Sequence, residues 1–352
     1  MFGLLIGLGV VLILVILYLM FRLDVLVNIA KKKDDTTLGA ENNFNATLLL
    51  ILVLAGVAAF FWYSFTQVDR YTLPLASEHG KETDSLFNIT MWITGFVFVV
   101  TNIVLFYFSF RYRYNKERKA VFLSHNNVLE IVWTVIPAIV LALLIGNGLM
   151  VWGDIMDEAP EDAEIVEIMG YQFAWDVRYS GNDNKFGAYD YKNIDDARGN
   201  KFGLDLKDEN TYDDFSTNEI YLPVNKTVLM KIRARDVIHS FYLPHFRVKM
   251  DAVPGMVTQF KFTPTKTTEQ MRNKLGNAEF DYELACAEIC GRNHFAMRKI
   301  VKVVSQEEYE KWKTEQKTWL RLNSNYLSDV PADKREAAIV KSGITEEELK
   351  DL

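Results

Sequence analysis

Cys286-Ala287-Glu288-Ile289-Cys290-Gly291-Arg292-Asn293-His294-Phe295-Ala296-Met297 holds two thiols, an imidazole and a thioether within twelve residues. A second imidazole, His239, lies in Asp236-Val237-Ile238-His239-Ser240, at the end of a predicted strand. Thiolate and thioether are soft ligands that favour copper, and imidazole suits copper as well. Cysteines four apart on a tight loop can place both sulfurs on one side of it, so that two thiolates bridge two metal ions. His294 and His239 would each complete one ion, with Met297 as a weak axial ligand. Two other readings use the same residues. A structural zinc site of Cys286, Cys290, His239 and His294 leaves Met297 without a role, and zinc pairs usually show other spacings. A Cys286–Cys290 disulfide gives the histidines nothing to do. These are the only cysteines, so no disulfide framework exists. No Cys-x-x-Cys-His occurs, so no c-type haem is expected on this chain.

Around this loop, from Ala163 onward, the chain reads as short β-rich runs: Ile165–Met169, Tyr171–Tyr179, Thr227–Ile232, Thr258–Phe262, Phe280–Ala285 and Met297–Val304. Turn residues such as Val253-Pro254-Gly255 separate them, a pattern of sandwiches and barrels. Ser180–Asn218 interrupts the runs with a polar, Gly- and Asp-rich insertion, expected as a surface excursion. After Val304 the pattern becomes helical. Ser305-Gln306-Glu307-Glu308 is a capping box, and Tyr309, Trp312, Trp319 and Leu320 follow on one predicted helix face. A second box, Thr345 to Glu348, opens a short last helix. The tail is expected to be a docking element.

The chain has 352 residues, 49% hydrophobic and 24% charged, and the two halves differ. Residues 1–153 carry 11 Lys+Arg and 10 Asp+Glu, whereas residues 154–352 carry 28 and 36, a net of −8. A simple soluble globule, a disordered chain and a carrier without a large soluble part are excluded. An acidic domain repels phosphates, so nucleic acid is not the expected partner.

Four apolar stretches, roughly Phe2–Met20, Ala46–Phe65, Met91–Phe110 and Ile131–Val151, reach the ~20 residues that a helix needs to cross a bilayer. The first has no basic flank before it and no A-x-A-like site after Met20, so a retained span is expected and not a signal peptide. Arg22 and Lys31–Lys33 in the first loop, and Arg111, Arg113, Lys116, Arg118 and Lys119 in the third, mark these loops as cytoplasmic. Thr66–Asn88 has only Arg70 and Lys81 against four acids. The N-terminus and the whole 154–352 domain are then expected outside, in the periplasm if the cell is a two-membrane bacterium.

The chain resembles subunit II of the haem–copper cytochrome c oxidases. The loop matches that family's binuclear copper A motif, C-x-E-x-C-x₃-H-x₂-M. Asp236–Ser240 matches its Asp-Val-x-His-Ser, Asp251–Gly255 its D-A-x-P-G, Glu130-Ile131-Val132-Trp133-Thr134-Val135-Ile136-Pro137 its second membrane helix, and Gly170–Tyr179 its aromatic stretch. The resemblance spans about 91–178 and 219–304. It implies membrane helices followed by an extracytoplasmic cupredoxin-like β-sandwich or barrel and a helical C-terminal tail. It implies a subunit of cytochrome-c oxidase in the bacterial inner membrane that takes electrons from cytochrome c and passes them to haem in subunit I, where oxygen is reduced with proton translocation. Partners would be subunit I, other oxidase subunits and the cytochrome c donor.

By the same resemblance Cys286 and Cys290 bridge two copper ions, and His239, His294 and Met297 complete the shell. Glu288 ligates through its backbone carbonyl, while its carboxylate reaches a magnesium or manganese ion shared with subunit I. Glu130 lies at the mouth of a proton path, and an ionisable group at a membrane boundary is a functional candidate in its own right. Many relatives have Trp where Phe173 stands in Gln172-Phe173-Ala174-Trp175, so electrons are taken up through Phe173, Trp175 or a backbone route. Asp236 and Asp251 flank His239, and residues 154–219 hold 18 Asp+Glu and 6 Lys+Arg, which suits a basic donor.

The expected division is two extra membrane helices with a cytoplasmic loop (1–65), a helical hairpin of the subunit II type (66–153), the copper domain with insertion 180–218 (154–304), and the tail (305–352). Competing functions are a copper A domain of a nitrous or nitric oxide reductase, and a non-redox scaffold like subunit II of quinol oxidases. The latter relatives have lost the copper ligands, and this chain keeps all of them.

Overall fold

The computed structural model describes residues 2–30, 40–115 and 117–350. Lys31, Lys32, Lys33 and Lys116, which contribute to the expected orientation, lie outside the described residues. The chain divides into two units, residues 1–68 with 93–126 and residues 69–92 with 127–352.

The first unit contains helix α1 (Phe2–Ala30), helix α2 (Ala40–Thr66) and the later part of a helix that begins in the second unit. After the single turn α3 (Val68–Tyr71) comes that helix, α4 (Gly80–Arg111), and then α5 (Asn127–Met156). α2 runs antiparallel to the later part of α4. The Arg113 Nε donates to Asn43 Oδ1 at 2.6 Å, and the rings of Phe60 and Phe98 lie 6.0 Å apart. Asn42–Thr66, Gly80–Arg111 and Asn127–Met156 are long and apolar enough to cross a membrane, and their apolar windows are 0% buried. Helices apolar on every face are stable only in lipid or against other apolar helices, so this is a membrane protein. α1, the remaining expected span, is a continuous helix of 29 residues.

In the second unit ten strands make two five-stranded sheets. They are β1 (Glu164–Tyr171), β2 (Ala174–Tyr179), β3 (Phe215–Thr217), β4 (Ile220–Pro223), β5 (Val228–Ala234), β6 (His239–Leu243), β7 (Val248–Ala252), β8 (Thr258–Phe262), β9 (Tyr282–Cys286) and β10 (Arg298–Val304). One sheet has the order β3-β2-β1-β5-β8 and the other β4-β10-β9-β6-β7. Pairing is mixed, with β1–β5 and β4–β10 parallel. Period-two alternation builds the core: Val228, Met230 and Ile232 are fully buried, while Leu229 and Lys231 face the other way. The result is the cupredoxin-like sandwich that the β-rich runs and the resemblance imply. Ile155 near the end of α5 is buried in the same core, and Val151 and Met156 pack against it. Segment 72–84 is stitched to the sandwich: Ser77 Oγ donates to the Phe246 carbonyl at 2.6 Å, and Arg247 grips both oxygens of Asp84 at 2.7 and 3.0 Å.

Three expectations need correction. His239 opens β6 and does not close a strand. The insertion is not a solvated excursion, because its Phe202, Leu204, Leu206 and Tyr212 form a second core with Met169 from the outer face of β1 and with Trp319, Leu320, Tyr326 and Leu327 of the tail. The tail helix also stops early. Helix α6 (Thr268–Leu275) precedes β10, and α7 (Gln306–Thr314) follows it and ends before Trp319. Thr318 caps a new short helix, α8 (Trp319–Leu322), accepting from the Arg321 N–H at 3.2 Å. Tyr309 and Trp312 therefore pack on the sandwich core, whereas Trp319 and Leu320 enter the second core. Both capping boxes form; the second opens α10 (Glu346–Lys350), after α9 (Arg335–Ser342).

Beneath the insertion lies a buried charge network. Arg178 contacts Glu167 at 2.6 Å and Asp214 at 2.9 Å, and Glu167 also contacts Arg233 at 2.7 Å. Burial opposes ionisation of Glu167, but the two guanidinium groups outweigh it and hold its carboxyl below the usual range. Burial pushes Asp214 up to about 8 in spite of Arg178.

Candidate metal centre

β9 ends at Cys286 and β10 begins at Arg298, so the antiparallel pair closes through the whole loop. The Cys286 N–H donates to the Met297 carbonyl at 3.1 Å and the Ala287 N–H to the Ser240 carbonyl at 3.0 Å. The first bond closes the loop, and the second, with the β6–β9 pairing, brings β6 and His239 against it. Cys286 Sγ lies 3.8 Å from His239 Nδ1 and 3.3 Å from the Glu288 carbonyl oxygen. Cys290 Sγ lies 3.6 Å from His294 Nδ1 and 3.8 Å from Met297 Sδ. The two sulfurs are 4.0 Å apart and both cysteines are free. That separation is about twice an S–S bond, so the pair is not a disulfide here. His239, Cys286 and Cys290 offer ligand atoms that all lie within 4.8 Å of one another, the only such group among the described residues.

His239 is fully buried, Met297 is 1% exposed, and the two cysteines are nearly buried. Glu288 and the loop apices Ile289 and Phe295 are exposed. Burial, together with the neighbouring Cys286 thiol, pushes the Cys290 thiol up to about 11. A metal that binds there must displace that proton.

The imidazole of His239 is oriented from behind. Its Nε2 lies 2.9 Å from Asp236 Oδ1, which leaves Nδ1 facing Cys286. A carboxylate behind a ligating histidine fixes its tautomer and raises its basicity. Burial opposes ionisation of Asp236, but hydrogen bonds from His239, the Gln172 N–H and the Val237 N–H outweigh it and hold the carboxyl below the usual range. Asp236 is thus an internal brace as well as a rim charge. Asp251 accepts from Ser240 Oγ at 2.7 Å, and its side chain is 50% exposed. Gly170 gives His239 its room: a Cβ there would lie 2.8 Å from the Trp175 ring and 3.1 Å from the His239 ring.

The aromatic candidates separate by depth. Trp175 is 1% exposed and packs edge-on to His239 with centroids 5.8 Å apart, so no docking protein touches it. Phe173 is half-buried and lies over Gly291, where a Cβ would come within 2.8 Å of its ring. Gln172, which the sequence reading did not single out as a site residue, donates from Nε2 to the Cys290 carbonyl at 2.6 Å and from its N–H to Asp236 Oδ2 at 2.7 Å. Its place beside Phe173 in the aromatic stretch was the available signal. Glu130 is exposed in the first turn of α5, far along the chain from these ligands.

Residues 165–304 match the family described as Cytochrome C oxidase subunit II, periplasmic domain, and residues 67–148 match Cytochrome C oxidase subunit II, transmembrane domain. The chain is 35% identical over 278 residues to the alternative cytochrome c oxidase subunit 2 of Bradyrhizobium diazoefficiens, covering 78% of this chain and 93% of that relative. It is 29% identical over 236 residues to cytochrome c oxidase subunit 2 of Cereibacter sphaeroides, covering 63% and 74%. Among solved structures it is similar to the periplasmic domain of subunit II of cytochrome oxidase of Bradyrhizobium japonicum, with a TM-score of 0.30 and 26% identity over 45% of this chain and 95% of that one.

Proposed function

This chain belongs to the cytochrome c oxidase subunit II family, and from that premise we propose that it is the electron-accepting subunit of a cytochrome c oxidase, with a binuclear copper A centre in its β-domain. The observation that carries the reading is the pairing of donors. Each thiol has its own imidazole, Cys286 with His239 and Cys290 with His294, and the Glu288 carbonyl lies against Cys286 while Met297 lies against Cys290. Five side-chain donors and a carbonyl exceed what one tetrahedral zinc takes, and soft sulfur with imidazole suits copper. Bound there, two copper ions supply a one-electron relay between a cytochrome c and the haem of subunit I, where oxygen is reduced to water with proton translocation.

The chain's own residues prepare that relay. Asp236 presents His239 in one tautomer. Phe173, half-buried against Gly291, is the aromatic group nearest a docked donor, and Trp175 backs the imidazole from within. The exposed Glu288 carboxylate faces outward as a ligand for magnesium or manganese shared with subunit I. We place the centre on the periplasmic side of a bacterial inner membrane, with the N-terminus outside. Residues 1–65 and 66–153 form the helical regions, 154–304 the copper domain and 305–352 the tail, which together with the insertion braces that domain.

The purified oxidase should oxidise a basic cytochrome c with consumption of oxygen, and the rate should fall steeply as ionic strength rises. Exposed charges steer association, and 0.15 M salt screens them beyond about 8 Å. Asp251→Asn is the cleaner probe of docking because Asp236 also braces His239; it should lower both the rate and its salt slope. A rate that is flat with salt defeats the electrostatic docking, and consumption of nitric oxide in place of oxygen defeats the oxidase assignment.

Glu130→Gln should slow oxygen turnover by about 10-fold, below the range a positioned proton-transfer group supplies, and leave reduction of the copper centre at its normal rate. Glu130 lies in the first turn of α5, whereas the candidate ligands lie beyond residue 238. Loss of copper with intact turnover would show that Glu130 has no part in proton uptake.

A further inference from the structure

We propose that Gln172 is a positioning residue of the metal centre, a strap that holds the Cys290 half and the His239 half in one frame. The inference rests on the copper A reading and extends it to a residue that ligates nothing.

The centre is built from two separate pieces of chain. His239 comes from β6, with Asp236 three residues before it, and Cys290, His294 and Met297 come from the loop between β9 and β10. Cys286, at the end of β9, is held to β6 by strand pairing with Phe241. Cys290, at the turn of the loop, has no such ladder. Its carbonyl instead accepts the Gln172 side-chain amide at 2.6 Å. The main-chain N–H of the same residue donates to Asp236 Oδ2 at 2.7 Å, and the other oxygen of Asp236 lies 2.9 Å from His239 Nε2. One residue therefore joins the Cys290 peptide to the brace behind His239.

The strap has a rigid base. Gln172 and Phe173 are the two residues between paired Tyr171 and Ala174, at the tip of the β1–β2 hairpin. The Arg235 N–H donates to the Gly170 carbonyl at 2.9 Å, which fixes that tip to the segment carrying Asp236. On the loop side Gly291 has a φ of 139°, a backbone region that favours glycine. Its missing Cβ is what lets the hairpin tip close down, since a Cβ would lie 2.8 Å from the Phe173 ring and 3.1 Å from Gln172 Nε2. Hydrogen bond and ring contact thus press on the same peptide.

Equal sharing of an electron by two ions needs the two halves to keep a fixed relation. Without the Gln172 amide the Cys290 carbonyl turns to water, and the Cys290–His294 turn is free to shift against Cys286, His239 and Met297, which strand pairing and the Cys286–Met297 backbone bond hold together. A group that holds ligands in place without touching the metal commonly changes affinity or activity 10- to 100-fold; an exposed single hydrogen bond belongs below that range.

The test uses the assembled oxidase with Gln172→Met, which keeps the length of the side chain, stays uncharged and cannot donate. Gln172 is exposed, so the substitution does not disturb the core. The variant should retain two coppers per chain. Its spin-resonance hyperfine pattern should lose the equal coupling of the wild type, release of copper to a chelator should be about fivefold faster, and amide exchange at Cys290-Gly291-Arg292 should quicken in the copper-free complex. Gln172→Glu, with an acceptor in place of the donor, should do the same. If hyperfine pattern, release rate and exchange all match the wild type, the strap is refuted. If only the second-order rate with cytochrome c falls, Gln172 is a docking residue and the proposal is equally refuted. A wild-type oxidase that lacks two coppers overturns the copper A reading itself, an outcome distinct from either.

Discussion

Cys290→Ser in the assembled oxidase is expected to leave the β-sandwich intact and to reduce oxidation of cytochrome c by at least ~100-fold, since even groups that only orient ligands cost up to that much. The sulfur of Cys290 stands at the crossing of the site, 4.0 Å from Cys286 Sγ, 3.6 Å from His294 Nδ1 and 3.8 Å from Met297 Sδ. A serine hydroxyl is a hard, protonated donor and does not bridge soft metal ions. The change in volume is small, so the side chain fits the space that the thiol filled. Copper content should fall to one per chain or less, and any remaining signal should show the hyperfine pattern of a single copper. Circular dichroism and the unfolding temperature of the complex should barely move. Retention of an equally shared electron in this variant would show that Cys290 does not bridge the ions, whereas a single-copper hyperfine pattern in the wild type would sink the binuclear reading itself. Loss of the β-sheet signal would instead show that Cys290 acts as core packing.

The candidate donors were legible because metal chemistry fixes residue types and spacing before any fold is known. The structure sets Cys286 beside His239 and the Glu288 carbonyl, and Cys290 beside His294 and Met297, while His239, Cys286 and Cys290 alone lie mutually within 4.8 Å among the described residues. The strands around them were less legible. β3, β4, β6 and β7 have only three to five residues, too few for a period of two to stand out. β4 also ends in Pro223, which an edge strand tolerates because no neighbour needs its N–H. β6 is buried at four of its five positions, His239 and Ser240 among them, so no exposed face alternates with a buried one.

The insertion misled for a different reason. Its aspartates suggest solvent, but many of them are spent on turns. Asp190 accepts the Lys192 N–H at 2.9 Å, Asp195 the Arg198 N–H at 3.1 Å, Asp205 the Lys207 N–H at 3.0 Å and Asp208 the Asn210 N–H at 3.1 Å. Such side chains tighten a loop by satisfying its own backbone. The apolar residues among them, Phe202, Leu204 and Leu206, then have a surface to bury, and the tail supplies the rest of it. Fold and site are thus connected by a part of the chain in which neither was visible: the hairpin that carries Phe173 at its tip is covered on its outer face by the insertion.

Arg178→Met is expected to loosen that cover and destabilise the β-domain by about 3–5 kcal/mol, the usual cost of removing one partner from a buried ion pair. Arg178 is 1% exposed on the outer face of β2. It holds Glu167 of β1 at 2.6 Å, and its Nη1 donates both to Asp214 at 2.9 Å and to the Gly187 carbonyl at 3.3 Å. Sheet and insertion meet at this guanidinium, which also lies 4.5 Å from the Phe186 ring centroid, and again where Arg233 donates to the Phe202 carbonyl at 3.1 Å. In the variant Glu167 keeps Arg233, but Asp214 and the Gly187 carbonyl lose the donor that Arg178 Nη1 supplies. The measurement is limited proteolysis of the purified oxidase, read by the appearance of cuts between residues 181 and 214, together with its unfolding temperature. Because Phe202, Leu204 and Leu206 share a core with Trp319 and Leu320, cuts in the insertion should be accompanied by cuts in the tail. Adding Asp214→Asn to Arg178→Met should recover little near neutral pH, because burial already pushes Asp214 up to about 8 and leaves it largely neutral there. The copper hyperfine pattern should stay unchanged throughout, because none of these groups touches the ligands. If Arg178→Met resists protease as the wild type does, the network is incidental and the apolar contacts alone hold the insertion down.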